Sequence, residues 1–285
     1  MRLVRRKSRP WFETWGAVAF LVALHTIPVV AICHGTAVRD WIALVPFYLW
    51  GAFNMGVVLH RFFAHRAFST SRTFQFLLDL SACTIFTDAI GFSGKHRLHH
   101  RYSDTEEDVH SPLHGWWACW VGHFFDEGHT RGKVHALAAD LYQYPELRCL
   151  RRLYLLPGAA LGAVTWYLGG FGMFAVGFCL SRVLVIHVSS SVNYFCHRFG
   201  HRRYATRDQS TNNSVVALLT FGEGWHNNHH HYPLAASAGF FWWEFDVFYW
   251  IIRLLAAAGL IWNVREVPTV VLYSGTLDAP VAAKW

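Results

Sequence analysis

Long apolar runs, separated by polar stretches rich in histidine, organise this chain. A membrane-crossing helix takes about 20 apolar residues, and four runs come close to that length: 15–33, 41–59, 153–171 and 172–196. Arg182 is the only basic residue inside any of them. Two further runs, 73–94 and 239–262, are apolar but interrupted by charge, with Asp79 and Asp88 in the first and Glu244, Asp246 and Arg253 in the second. Both read as amphipathic helices lying at an interface or covering a site. The pattern predicts an all-α membrane protein of one domain, 1–285. Its four transmembrane helices form two hairpins, with a helical cap built from 60–152 and 197–285.

Basic residues orient this arrangement. Five of the 25 Lys and Arg precede the first run, Arg39 alone lies between the first two, and none separates the third from the fourth. Apart from Arg182, the other 18 follow the second or the fourth run. By the positive-inside rule the N-terminus, residues 60–152 and the tail face the cytoplasm.

Composition agrees with the membrane reading. Charged residues make up 15% of the chain, against about a quarter in soluble domains, and 14 tryptophans suit interfacial belts. A net charge of +7 raises the question of nucleic acid, but the basic residues flank apolar runs and form no groove-like array with spaced aromatics. Anionic lipid headgroups fit them better. The basic start resembles a secretory leader, but no small-residue cleavage site follows, so the first run is expected to be retained. Six scattered cysteines without a Cys-x-x-Cys pair read as buried, reduced thiols. Nucleotide loops, nucleophile elbows and His-Glu-x-x-His pairs are missing from the sequence.

The chemistry lies in three histidine clusters: His60-Arg-Phe-Phe-Ala-His65, His96-Arg-Leu-His99-His100 and His226-Asn-Asn-His229-His230. The i, i+3, i+4 spacing of the second and third puts each trio on one helix face. His60 and His65, five apart, point different ways on a regular helix, so His60 is expected on a last turn and His65 beyond a local break. Asn193 and His197, four apart, add a quieter fourth element at the end of the fourth run. The predicted topology brings all four to the cytoplasmic face.

Nine histidines and one amide suffice for two metal ions with a position open to oxygen. Neutral imidazole suits iron, copper, nickel or zinc, whereas magnesium and calcium prefer oxygen donors. The other histidines have plainer readings. His25, His34, His187 and His201 read as hydrogen-bonded core residues, and His110, His114, His123, His129 and His135 as loop or supporting residues. His231 falls off the face of its cluster. Asp88, Asp104, Asp108 and Glu223 lie near the clusters in sequence and are candidates to orient the ligating rings.

The order His-x4-His, His-x2-His-His, His-x2-His-His, with these gaps and two hairpins, resembles the integral-membrane fatty acid desaturases. The resemblance covers nearly the whole chain, from about 41 to 268. It is carried by the first cluster, Lys95-His-Arg-Leu-His-His-Arg-Tyr-Ser-Asp104, Asn193-Tyr-Phe-Cys-His197 and Gly222-Glu-Gly-Trp-His-Asn-Asn-His-His230. Within the family the chain is similar to the acyl-CoA Δ9 (stearoyl-CoA type) branch and its bacterial relatives. A histidine opening the third cluster, where front-end desaturases typically have glutamine, argues against that other branch.

The resemblance implies two iron ions held by His60, His65, His96, His99, His100, His197, His226, His229 and His230, with a water held by Asn193. It also implies O₂, a fatty acyl substrate (on CoA in this branch) and a bacterial inner membrane. The chain carries no His-Pro-Gly-Gly haem signature, so electrons are expected from a separate ferredoxin-like or cytochrome b-type protein. Lys95, Arg97 and Arg101 are candidates to meet the acyl carrier. Two other readings compete: a hydroxylase or ketolase of another lipid, and a membrane metal transporter. The second fits poorly, because transporter ligands belong near mid-membrane and these lie at span ends.

Overall fold

The computed structural model describes residues 11–125 and 131–276; the basic N-terminal segment and His129 lie outside them. Helix α1 (Trp11–His34) turns through residues 35–37 into α2 (Val38–Phe53). The Asp40 carboxylate accepts the Ala37 amide and closes this turn. Helix α2 runs on as a π-helix over Asn54–Ala64. Among the described residues three helices, Trp15–His34, Val38–Ala64 and Leu155–Phe195, are long and apolar enough to cross a membrane.

The third of these, 41 residues long, is not straight. Gly170 has φ +74° and ψ −173°, a conformation that side chains exclude. Gly162 packs against the rings of Phe174 and Phe178, which a straight helix would carry roughly 18 and 24 Å away. The segment therefore folds back on itself, as α9 (Leu155–Gly172), a π-helical stretch (Met173–Leu180) and a later helix, Ser181–Phe195. The break expected at 171/172 falls at Gly170.

Between the two apolar hairpins lie α3 (Arg72–Cys83), α4 (Ala89–Tyr102), α5 (Gly115–Trp120), α6 (Arg131–Leu137), α7 (Ala139–Tyr142) and α8 (Pro145–Leu153). The helix that closes the second hairpin is α10 (Ser181–Phe195), followed by α11 (Ser214–Leu219), α12 (His226–His231), α13 (Val247–Ala257) and α14 (Thr269–Tyr273). Two-residue strands β1 (Ser69–Thr70) and β2 (Ile261–Trp262) pair antiparallel, which ties the chain just after the first histidine cluster to its C-terminal segment.

Two expectations need correction. Residues 73–94 are not one interfacial helix: α3 and α4 are separate, and both acids are buried at the join. Asp79 accepts the Ala89 amide at 2.8 Å, and Asp88 caps α4 through the Gly91 amide at 2.7 Å. Burial pushes the Asp79 carboxyl up to about 8. The stretch 239–262 likewise shortens to α13, capped by buried Asp246, with Glu244 buried before it. The cysteines also divide: Cys83, Cys119, Cys179 and Cys196 are buried, while Cys33 and Cys149 are exposed.

The largest buried apolar cluster joins the π-helical end of α2 to α3, α4 and α13, through Val57, Leu59, Phe63, Leu78, Ile90 and Ile252. It forms the floor under the histidines.

Candidate metal centre

The first cluster is assembled by the π-helix. The His65 amide donates to the His60 carbonyl, an i→i+5 bond that widens the turn. Residues five apart then share a face, and the His60 and His65 rings sit 4.9 Å apart. The expected break is thus a widened turn that ends after His65, where Arg66 takes φ +54°. Arg97 fastens this end by donating to the carbonyls of Phe63, Ala64 and Leu137 and to Asp140. With its donors so occupied, Arg97 clamps this end of the helix. Lys95 is half-buried and Arg101 exposed.

Helix α4 presents His96, His99 and His100, and α12 presents His226, His229 and His230. His197 follows α10, on a tightened last turn where its amide donates to the Tyr194 carbonyl. Two groups result. His60, His65, His96, His100 and His229 form one, and His99, His197, His226 and His230 the other, with the donor nitrogens of each within 4.8 Å of one another. Nε2 faces Nε2 throughout. In the first group His65–His96 are at 2.7 Å, and His60–His229, His96–His100 and His100–His229 at 3.0 Å. In the second, His197–His226 and His226–His230 are at 3.0 Å and His99–His230 at 3.3 Å. These are the nine histidines picked out by spacing. Asn193 stands one turn before His197 on α10, and its carbonyl accepts from the Cys119 thiol.

Carboxylates fix four of the rings. Nδ1 of His99 donates to Asp108 at 3.0 Å, His197 to Asp104 at 2.9 Å and His230 to Asp208 at 2.7 Å. His60 pairs with Glu223. The Arg61 guanidinium holds the other Glu223 oxygen at 2.7 Å and also binds Asp246 and the Ala236 carbonyl. Asp104, Asp108 and Glu223 thus bear out as ring-orienting groups. Asp88 does not: it caps α4 and pairs with Arg151. Asp208 and Arg61 were not foreseen. Asp208 meets a histidine 22 residues away, and no periodicity marks it.

A ring that donates through Nδ1 presents a lone pair at Nε2 when neutral. In the second group three of the four rings are in that state, so only His226 can bring an Nε2 proton to three contacts. The His99–His230 contact then joins two lone pairs unless a cation enters. Burial alone would lower the affinity of His99 for a proton, yet Asp108, with Asp104 and Asp208 beyond it, raises it. The group thus draws positive charge inward, and a transition-metal ion would satisfy all four nitrogens at once. Six further donors are tuned to neutral imidazole. Burial and then neighbouring rings push His65, His96, His100, His226 and His229 well below 6.5, and burial takes His230 to about 4. Buried, neutral and convergent imidazoles fit a metal pair.

The remaining histidines sort simply. His110 stacks on His99, with centroids 4.3 Å apart. His231 stacks on Tyr204 and bonds the Val271 carbonyl, away from both groups. Trp120 donates to His187, which faces His25 at 3.0 Å, and His25 in turn bonds the Leu21 carbonyl.

Long apolar helices that could cross a membrane, together with two histidine groups that could hold metal, define the class of protein. The model of the family described as "Fatty acid desaturase" matches residues 39–259, and the chain belongs to that family. It is 34% identical over 274 residues to the icosanoyl-CoA 5-desaturase of Limnanthes douglasii, covering 92% of this chain and 77% of that one. It is also 34% identical over 225 residues to the sn-1 stearoyl-lipid 9-desaturase of Anabaena variabilis, covering 79% and 83%. The Delta-9 acyl-lipid desaturase 2 of Arabidopsis thaliana is 31% identical over 267 residues, covering 91% and 86%. Each of these relatives is named for desaturation of a fatty acyl group.

Proposed function

We propose that the protein introduces a cis double bond into a saturated fatty acyl chain at a di-iron centre, using O₂ and electrons from a separate ferredoxin-like or cytochrome b-type protein. The observation that carries this reading is the sorting of nine convergent imidazoles, six of them buried and three partly buried, into groups of five and four. Five histidines would hold one iron. Four would hold the other, with Asn193 reaching it through water. When bound, the iron pair supplies the strong oxidant that removing hydrogen from a methylene demands. The chain's own residues do the rest. Burial keeps His65, His96, His100, His226, His229 and His230 neutral so that they can ligate, the carboxylates fix which nitrogen faces inward, and the apolar floor excludes water from the acyl chain. The fold-back at Gly170 supports four crossings, and the basic loops favour placing the cap in the cytoplasm.

For the acyl group, the reading is Δ9 on CoA, with Lys95 and Arg101 near the carrier. An acyl-lipid substrate is the second reading. It is favoured by relatives named for acyl lipids and by the internal engagement of Arg97. Expression in a host that makes saturated acyl chains, followed by mass spectrometry locating new double bonds in the CoA and lipid pools, tests both. A new cis-alkene at carbon 9, absent from a His99→Ala variant, is expected. A new oxygen in place of a double bond would point to the hydroxylase reading, and an unchanged profile from iron-loaded protein supplied with reductant would overturn the proposal.

A further inference from the structure

The two histidine groups do not share the same electrostatic surroundings. The group of four is backed by three carboxylates, Asp108 on His99, Asp104 on His197 and Asp208 on His230. No arginine or lysine side chain is seen to pair with these three among the described residues; they take backbone amides, hydroxyls and imidazoles instead. Asp104 also accepts the Gln209 amide, Asp108 the amides of Asp104 and His110, and Asp208 the Ser210 amide and hydroxyl. The group of five is backed by one carboxylate, Glu223 on His60, and Arg61 shares it. Formal charge beside the four-histidine group is thus −3, from three aspartates. Beside the other it is 0, from Glu223 and Arg61, before Asp246 on the far side of Arg61 is counted.

We infer that the two metal positions are unequal by construction: Asp104, Asp108 and Asp208 hold the four-histidine position for the more highly charged ion, and Arg61 with Glu223 keeps the five-histidine position closer to neutral. This rests on reading the clusters as a two-metal site. The physical basis is that a carboxylate accepting the Nδ1 proton makes the imidazole a stronger donor at Nε2. Loss of such a partner typically costs about 10–100-fold in metal affinity. Three backed rings against one compensate for the missing fifth imidazole. Asp208 is the positioning residue that tests the idea most cleanly, since its inner oxygen touches His230 and its outer one only Thr206 and Ser210.

The experiment is a titration of purified full-length protein, stripped of metal, with Co(II), following ligand-field absorption and bound metal per chain. Wild type should take up two ions, and fewer than two would refute the two-metal reading itself. Asp208→Asn keeps the shape and removes the charge. It should weaken one binding step 10–100-fold and leave the other unchanged, and Asp104→Asn should weaken the same step. Glu223→Gln should weaken the other step. Asp88→Asn, which touches no cluster histidine, should leave both intact. The inequality is overturned if Asp208→Asn and Asp104→Asn leave both steps within twofold of wild type, if they act on the step that Glu223→Gln affects, or if Asp88→Asn does the same damage.

Discussion

At the scale of single residues the centre is a set of bases, six of them made to stay neutral inside the protein, and this sets its response to acid. His65, His96, His100, His226 and His229 titrate well below 6.5 in the fold, and His230 near 4, because burial penalises their charged forms. An unfolded chain takes up these protons near pH 6.5. Below that pH the unfolded state binds more protons, so stability falls as pH drops. Asp108 and Asp208 are held low against the push of burial by their histidine partners, and their contribution also fades as acid protonates them. His99 and Asp79 run the other way: their raised proton affinities favour the fold as pH drops, and that contribution is lost as pH rises. The six outweigh the two. Metal-free protein should therefore melt at progressively lower temperature from pH 7 to pH 5, and a flat series would contradict the assignment of neutral rings. Six of the nine histidines were legible because i, i+3, i+4 spacing states a shared face, and His60, His65 and His197 because they stand at the ends of apolar runs. Asp208 and Arg61 were not, because they reach their partners across 22 and 162 residues, where local pattern carries no information.

Among the elements, backbone departures from the α-helix decide the geometry. The π-helix over Asn54–Ala64 turns a five-residue spacing into a shared face. Sequence reasoning based on 3.6 residues per turn read the same spacing as a break, since nothing in the composition of this stretch announces i→i+5 bonding. The fold-back in the 155–195 segment was legible from length alone, because 41 apolar residues make about twice a span. Its exact hinge depends on Gly170, whose φ of +74° and ψ of −173° only glycine adopts easily. Nothing lies within 4 Å of where a Cβ would stand there, so a substitution carries a backbone cost only. Gly170→Ala should cost about 1–3 kcal/mol, read as a lower melting temperature of the solubilised protein, with metal content unchanged. An equal loss of metal would mean that the hairpin and the centre are coupled.

For the molecule as a whole, the three helices long and apolar enough to cross a membrane followed from apolar run lengths. The C-terminal clamp did not, because β1 and β2 are two-residue strands paired across some 190 residues. The overall orientation can be tested with the chain's own thiols. Of the six cysteines only Cys33, at the end of α1, and Cys149, on α8, are exposed. With the cap in the cytoplasm, a membrane-impermeant maleimide added to intact cells should label Cys33 and spare Cys149 until the membrane is opened. The reverse pattern would invert the topology. The facing ring nitrogens described above also bear on how the protein is made. A chain that finishes folding before cations arrive must admit extra protons or leave nitrogens unpaired at the point where four separate stretches meet. Scarcity of its metal would reach such a protein as a folding problem before a catalytic one, and quality control would then set how much of it the membrane holds.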